Sequence, residues 1–255
     1  MHNFLGFFRM WRVWYIQGNQ DIKLRYKRSV LGPFWISASL ASLIAGLAFL
    51  YSEIFKQDIR EYAVYLAGGM IAWTFLTAVI TEGATSIIDY SNDMRGVNIP
   101  ISVLAGRIVY RNMIIMFHNL LVGLATLYLC GFGLTPKFVL ILPAIFTLWI
   151  FGVSVTIMLA PICARYRDLP EIIRNFMQLM FFLTPIFWLP GQAGRRTLFV
   201  EANPFNVLID LIRVPLINSP YPKSFILTLS ITIVSVIVLA IISFATARNK
   251  IYNWL

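Results

Sequence analysis

Six stretches of this sequence contain no Asp, Glu, Lys or Arg for twenty residues or more: 29–52, 62–81, 112–136, 138–164, 175–194 and 224–247. An α-helix rises about 1.5 Å per residue, so about 20 residues cross the ~30 Å hydrocarbon core of a bilayer. Backbone polar groups in hydrocarbon must find partners within the protein, which favours helices where period-2 alternation is missing. The pattern predicts an all-α integral membrane protein with six transmembrane helices.

The residues that flank these runs refine the predicted spans. Our bounds for them are 29–52, 62–81, 108–130, 138–164, 172–189 and 224–247. Charged residues make up only 13% of the chain, about half of the ~25% that is usual in soluble domains. A surface that faces lipid replaces the usual polar shell. Since no segment between spans is long enough for a soluble domain, we predict one transmembrane domain over residues 1–255.

Lysine and arginine are distributed unevenly between the two sides of the membrane. Six spans put both termini on the same side, together with residues 82–111 and 165–174; these segments hold fourteen Lys and Arg, against seven on the opposite side. The positive-inside rule therefore places both termini in the cytoplasm. The same distribution accounts for the net charge of +10, so we predict no nucleic-acid partner.

The first 28 residues combine aromatic and basic side chains. Residues 3–17 predict an amphipathic helix lying in the membrane interface, because Trp and Tyr prefer that depth. A basic run then leads into the first span. It has two interpretations, an anchor for anionic lipid headgroups or a phosphate-attracting collar at the cytoplasmic mouth of a pathway. The second makes Arg25, Lys27 and Arg28 a candidate substrate entrance.

Two cytoplasmic segments carry candidate interaction residues. Residues 83–107, with a break at Pro100, are longer than a connector needs and predict a docking surface for a partner. Its candidate contact residues are Asp89, Asp93, Arg95 and Asn98. The loop after span four predicts an ion-pair network that clamps the inner ends of spans four and five. Its members are Arg165, Arg167, Asp168 and Arg174.

Residues 190–222 predict short helices on the outer side. Pro185 and Pro190 should kink or unwind the outer end of span five. Residues 203–217 place apolar side chains on one helical face and Asn206, Asp210 and Arg213 on the other, which predicts a half-buried interfacial or re-entrant helix. Asp210 and Arg213 are three residues apart and can pair. We expect these elements to form a lid rather than a simple loop.

Catalytic and metal-binding motifs are absent from the sequence. It contains no nucleotide-binding glycine loop, no H-E-x-x-H motif and no acidic cluster at a membrane face. An intramembrane transferase would need such a cluster, so we predict no catalytic residues, no metal site and no bound cofactor. No chain of carboxylates crosses the spans to use an ion gradient. Energy for uphill transport would have to come from another subunit.

Several motifs occur in a recognisable order. An aromatic helix precedes Arg25-Tyr-Lys-Arg-Ser-Val-Leu-Gly-Pro-Phe-Trp35, and Arg165-Tyr-Arg-Asp168 follows span four. Thr184-Pro-Ile-Phe-Trp188 ends span five, and Asn203-Pro-Phe205 lies between spans five and six. Over its whole length the chain resembles ABC-2 type permeases that export polysaccharides. Within that family it is most similar to O-antigen exporter membrane subunits and to the related teichoic acid permeases.

The resemblance implies an assembly and a cargo. Two copies would form a homodimer around a channel in the bacterial inner membrane, each bound to a cytoplasmic ATPase subunit that holds ATP and Mg²⁺. Residues 83–107 would be the coupling region and 190–222 the gate helices. The cargo would be a polysaccharide on undecaprenyl diphosphate. Teichoic acid, another glycan or a hydrophobic drug are the alternatives.

An aromatic path without charges suits such a cargo, because sugars stack their C–H faces on aromatic rings. The candidate channel-lining residues, for which lipid-facing anchoring is the alternative role, are Trp35, Tyr51, Trp73, Phe75, Phe181, Phe182 and Phe187.

Overall fold

The computed structural model describes residues 9–27, 32, 34–90, 100–191, 194 and 197–247. Its regular elements are helices. In chain order they are α1 (Trp11–Tyr26), α2 (Phe34–Phe55), α3 (Ile59–Asp89), α4 (Ile101–Leu129), a 3-10 helix (Pro136–Leu140), α5 (Ile141–Arg165), α6 (Leu169–Leu183), α7 (Thr197–Ala202), α8 (Pro204–Ile217) and α9 (Phe225–Ala247).

Five helical segments of the described chain are long and apolar enough to cross a membrane. They are α2, α3, α4, the 3-10 helix continued by α5, and α9. The prediction of an all-α integral membrane protein is therefore confirmed. The predicted span 172–189 does not correspond to a helix long enough to cross the membrane. Helix α6 has only 15 residues and rises ~22 Å, less than the ~30 Å of the hydrocarbon core.

Helix α3 is the centre of the bundle and packs against α2, α4, α5, α6 and α8. It begins at Asp58, whose carboxylate accepts hydrogen bonds from the backbone N–H groups of Arg60 (2.8 Å) and Glu61 (3.3 Å), a standard N-cap. Most of its residues from Tyr62 to Ile80 are buried. This helix therefore carries the side chains that position its neighbours.

The bundle has two ends, named here for what lies there. At the α1 end, α1 packs against the first turns of α4, and Arg111 of α4 pairs with both Asp21 of α1 and Glu82 of α3. At the turn end, the α2–α3 turn lies near residues 130–135 and residues 184–190. Residues 83–89 belong to α3 and residues 101–107 to α4. Both ends of the predicted excursion 83–107 are thus helical, since these two helices have 31 and 29 residues, more than the ~20 that a membrane crossing needs.

Helix α1 packs along α4 instead of lying by itself. The rings of Trp14 and Tyr15 contact Tyr110, with centroid distances of 5.7 and 5.2 Å. Gly18 also meets Tyr110; a Cβ at Gly18 would lie 2.7 Å from its ring. Residues 3–8 of the predicted interface helix lie outside the described residues; α1 itself begins at Trp11 and has Lys23 and Arg25 in its last turn.

Helices α2 and α9 expose apolar side chains along much of their length. In the most apolar stretch of each helix, only 22% of the residues in α2 and 11% of those in α9 are buried. Large exposed side chains on them include Phe34, Trp35, Phe49, Ile226 and Leu227. Surfaces of this kind need lipid or another protein chain to cover them.

Candidate functional site

The chain is not helical between Thr184 and Trp188, immediately after α6. Thr184 has an extended backbone (φ −94°, ψ 137°), as expected for a residue that precedes proline. Thr184, Pro185 and Ile186 are nonetheless buried. Buried irregular backbone needs partners for its polar groups. We call residues 184–188 the unwound segment; the predicted kink at Pro185 is confirmed.

Arg213 of α8 supplies one of those partners. Its Nη1 donates to the carbonyl of Pro185 and, at 2.8 Å, to the hydroxyl of Tyr65. Nε donates to Asp210 Oδ1 at 2.9 Å, and Nη2 donates to the same oxygen and to Asn206 Oδ1 at 2.9 Å. The side chains of Arg213 and Asp210 are only 3% and 6% exposed. A buried charge pair is tolerated when it is hydrogen-bonded this completely.

Helix α3 holds the same segment from the other side. The Tyr65 hydroxyl lies 2.8 Å from the carbonyl oxygen of Pro185 and 3.0 Å from that of Trp188, while Tyr62 donates to the carbonyl of Phe187. Gly68 and Gly69 allow the close approach. A Cβ at Gly68 would lie 2.8 Å from Arg213 Cα, and one at Gly69 would lie 3.3 Å from the Ile186 carbonyl oxygen.

The structure corrects the predicted environment of α8. Every residue from Asn206 to Leu216 is buried, so the helix lies inside the bundle. Of the two predicted placements, the half-buried interfacial one is wrong. The predicted face with Asn206, Asp210 and Arg213 does exist, but it points at the unwound segment. The reason is that Arg213 donates to the Pro185 carbonyl, while Asp210 and Asn206 accept from the same guanidinium and hold it in place.

Five of the predicted aromatic residues come together beside this network. Trp73 contacts Phe181 (centroids 5.7 Å apart), and Phe181 contacts Phe187 (5.7 Å). Phe182 and Tyr51 lie 6.1 and 5.7 Å from Phe187. We call these five residues the aromatic wall. Phe187 belongs to the unwound segment, so the polar network also positions the wall.

A groove of about 380 Å³ runs along the wall between α3 and α6. Its aromatic side is formed by Trp73, Phe181 and Phe182, and its polar side chains are Thr77, Thr81, Gln178 and Arg174. Thr77 Oγ1 is buried without a hydrogen-bond partner among the described residues. The groove can therefore offer stacking surfaces and neutral hydrogen-bonding groups side by side.

The other two predicted lining residues lie elsewhere. Trp35 is 60% exposed on α2 and is not part of the aromatic wall. Phe75 is buried and lines a separate cavity of about 170 Å³ near the α1 end. Arg25 lines the same cavity, with Glu82, Asn112 and Asn119. Of the predicted entrance residues, Lys27 is exposed and Arg28 lies outside the described residues.

A charge network connects three helices at the α1 end. Asp21 of α1 accepts from Arg107 Nε and Nη2 (2.8 and 2.7 Å) and from Arg111 Nη1 (3.0 Å). Arg111 also donates to Glu82 of α3 at 2.7 Å. The guanidinium of Arg107 lies 4.0 Å above the ring of Tyr90. These contacts tie α1 and α3 to α4.

The predicted cytoplasmic contact residues occupy exposed positions where they are described. Asp89 is exposed at the end of α3, and Asp93, Arg95 and Asn98 lie outside the described residues.

The predicted ion-pair network lies in the loop after α5. There Arg165, Arg167 and Asp168 are exposed, and Asp168 is at the N-cap of α6. Arg174, in α6, forms an ion pair with Glu171 at 3.0 Å.

Sequence reasoning missed the charge network at the α1 end. Asp21, Glu82, Arg107 and Arg111 stood in or beside predicted spans without an assigned role. The sequence feature that could have revealed them is that acidic and basic residues both occur in segments assigned to the same side of the membrane. The spacing of Asp210 and Arg213 indicated a pair, but it contained no sign of Tyr65 or Pro185 as further partners.

Comparisons with known proteins agree with this architecture. Residues 13–217 match the ABC-2 type transporter family. Three relatives are named O-antigen export system permease protein RfbA. One from Myxococcus xanthus is 25% identical over 192 residues, 72% of each chain. Two from Klebsiella pneumoniae are 27% identical over 179 residues (67% of this chain, 66% of the relative) and 24% identical over 229 residues (88% of each). The family match covers well over half of the sequence, and the chain belongs to the ABC-2 type transporter family.

Proposed function

We propose that this chain is the permease subunit of an ABC exporter that moves an undecaprenyl-diphosphate-linked polysaccharide from the cytoplasm across the inner membrane. ATP and Mg²⁺ bind to a separate ATPase subunit, which hydrolyses the nucleotide. We assign O-antigen as the cargo because three relatives are named O-antigen export permeases. The alternatives are teichoic acid, another lipid-linked glycan, or a hydrophobic drug.

The observation that carries this proposal is the groove between α3 and α6. Its aromatic rings offer flat apolar faces, and Thr77, Thr81 and Gln178 offer neutral hydrogen-bonding groups. A sugar unit needs both, because its C–H faces are apolar while its edges carry hydroxyl groups. A small hydrophobic drug would not need the polar half of the groove.

In a single copy of the chain the groove is open at the surface. This supports assembly with a second copy, which would cover it. Phe182 is 57% exposed, and the neighbouring α6 residues Ile172, Phe176 and Leu179 are exposed as well. We propose that two copies face each other across this surface, forming one channel between them. Two ATPase subunits would then bind, one to each copy.

We propose six membrane crossings with both termini in the cytoplasm. Helix α6 alone is too short, but the unwound segment continues it toward the turn end and has its carbonyls satisfied by Arg213, Tyr62 and Tyr65. Irregular backbone at membrane depth is tolerated when it is buried in protein in this way. The excess of Lys and Arg supports placing the α1 end in the cytoplasm.

The α1 end is where we propose the ATPase and the carrier lipid bind. Asp89 is exposed there, next to residues 91–99, which include the proposed contacts Asp93, Arg95 and Asn98. Arg25 lines the cavity of about 170 Å³, and Lys27 is exposed beside it. Together with Arg28 they would attract the diphosphate of the carrier by charge. Charge reversal at Arg25 and Lys27 should therefore lower export while the protein still inserts.

The decisive experiment is a deletion of the gene followed by analysis of lipid-linked glycans. We expect undecaprenyl-linked polysaccharide to accumulate inside the cell and surface polysaccharide to disappear. Complementation should require both this chain and an intact ATPase partner. Unchanged surface polysaccharide, combined with altered drug sensitivity, would instead support the drug-exporter alternative and overturn the assignment of a glycan cargo.

A further inference from the structure

A second cavity lies at the turn end, apart from the α3–α6 groove, and has a volume of about 540 Å³. We call it the outer cavity. It lies between the start of α3, the loop after α4 and the end of α8. Its lining includes Glu61, Tyr62, Tyr65, Phe132, Thr135 and Asn218. The volume is within the range of about 300–1,000 Å³ that is typical of ligand sites.

We propose that the outer cavity binds saccharide units. Its walls provide aromatic and polar groups together. Tyr62 and Tyr65 are held in place because their hydroxyls bond the carbonyls of the unwound segment. Phe132, in the loop after α4, is 41% exposed. An aromatic ring on a cavity wall offers the flat face on which a sugar ring stacks.

The polar groups of the cavity match hydroxyl groups. Glu61, Gln57 and Asn218 line it with a carboxylate and two amides, which can bond neighbouring hydroxyls of one sugar. Thr135 Oγ1 is buried and has no hydrogen-bond partner among the described residues. A buried polar atom without a partner is unfavourable, so a hydroxyl-bearing ligand would gain from bonding it.

The charges around the cavity disfavour a phosphate ligand. The described residues that line it include the carboxylate Glu61 and no Lys or Arg. Lys137, which lies at the rim, directs its Nζ to the backbone carbonyls of Asn218 (3.3 Å) and Ser219 (3.1 Å). A neutral polyhydroxylated ligand fits these groups better than an anionic lipid headgroup.

The position of the cavity connects it to the export path. Tyr65 lines the cavity and bonds Arg213, and Tyr62 bonds the carbonyl of Phe187, a member of the aromatic wall. Sugars in the cavity would thus touch the residues that hold the unwound segment. This inference rests on the proposed function, and it names the exported glycan as the source of the sugars. A membrane glycolipid is the other source with the same chemistry.

The test uses cysteine accessibility in the complete permease–ATPase complex. Cys130 and Cys163 are first replaced by alanine, and Gly133→Cys is added as a reporter in the cavity. Gly191→Cys is the matched control outside it. A Cβ at either glycine meets no atom within 4 Å, so both variants should fold. The probe is lipid-free oligosaccharide released by mild acid from the exporting cell's own polysaccharide, and the readout is the rate of maleimide labelling.

At a saccharide concentration about ten times its Kd, we expect labelling of Gly133→Cys to slow about tenfold, in proportion to the unoccupied fraction. Labelling of Gly191→Cys should not change. Glu61→Gln, made in the Gly133→Cys protein, should raise the Kd about tenfold, because a charge-assisted hydrogen bond is lost. At the same saccharide concentration, labelling of that variant should then slow only about twofold. This combination supports the proposal.

Three outcomes would overturn it. One is labelling of Gly133→Cys that saccharide does not slow; another is equal slowing of both reporters. The third is protection by glycolipid vesicles but not by free saccharide, which would make a membrane lipid the ligand. If these occur while the same complex restores export to the deletion strain, the cavity assignment fails and the proposed function stands. If deletion leaves lipid-linked glycan unchanged, the proposed function fails.

Discussion

Arg213 donates a hydrogen bond to the backbone carbonyl of Pro185, 28 positions earlier in the chain. This contact joins a buried helix to the unwound segment and, through Phe187, to the aromatic wall. A proline interrupts the helix and leaves carbonyls without intrahelical partners. A guanidinium, which carries five N–H donors in a fixed plane, can satisfy several acceptors at once. The unwound segment thus keeps one conformation although it lacks regular hydrogen bonds.

Replacing Arg213 with leucine should destabilise the protein strongly. The change leaves Asp210 buried without its charged partner and the Pro185 carbonyl without this donor, which should cost about 3–5 kcal/mol. The measurement is the thermal stability of the purified protein in detergent. Arg174→Ala is the matched control, because its pair with Glu171 has the same i,i+3 spacing but both side chains are 62% exposed. We expect the control to lose less than about 1 kcal/mol. Similar losses of stability in the two variants would contradict the idea that burial makes the Asp210–Arg213 pair more important than the exposed pair.

Alanine at Gly68 should also be destabilising, for a steric reason. The added Cβ would lie 2.8 Å from Arg213 Cα, so α3 and α8 would have to separate, and overpacking of this kind costs about 1–3 kcal/mol. Gly46→Ala in α2 is the control, because a Cβ there meets nothing within 4 Å and alanine favours a helix. Thermal unfolding of both variants checks the prediction. A Gly68→Ala protein as stable as the parent would show that the close approach is not required.

Asp21→Asn should loosen α1 from the bundle. The carboxylate accepts from both Arg107 and Arg111, and hydrogen bonds between charged groups are each worth about 1.5–3 kcal/mol. Faster hydrogen–deuterium exchange in residues 11–26, with exchange in α5 unchanged, is the expected result. Glu53→Gln, which removes an exposed carboxylate at the turn end, should leave exchange in α1 as it was. Unaltered α1 exchange in Asp21→Asn would mean that the aromatic contacts with Tyr110 suffice.

Two aromatic residues of similar exposure should differ in transport. Phe182 is 57% exposed and belongs to the aromatic wall, whereas Trp35 is 60% exposed and lies apart from it. Phe182→Ala should reduce export of lipid-linked glycan with little change in stability, because it removes a stacking surface. Trp35→Ala should leave export near the parental level. The assay is surface polysaccharide in the complemented deletion strain, normalised to membrane-inserted protein. The opposite order of effects would exclude the α3–α6 groove as the path.

Local sequence patterns predicted most of the helices and some of their ends. The charge-free runs predicted the membrane helices because hydrocarbon admits few charges at any packing arrangement. Pro185 predicted the end of α6 because the residue before a proline disfavours helical backbone. These rules depend on neighbours in the chain, so the sequence was enough. The extension of α3 to Asp89 was missed because polar residues continue a helix outside the membrane without an apolar signal.

The sequence by itself determined that this chain is a helical membrane protein and which α8 residues share a helical face. Only the tertiary structure decided what that face meets. In water the polar face of a helix turns outward, but in a bilayer it turns toward partners inside the protein. Asp210 and Arg213 therefore lie buried against Tyr65 and Pro185, residues far away in the chain. Helical periodicity contains no information about such distant acceptors, since they come together only when the helices pack.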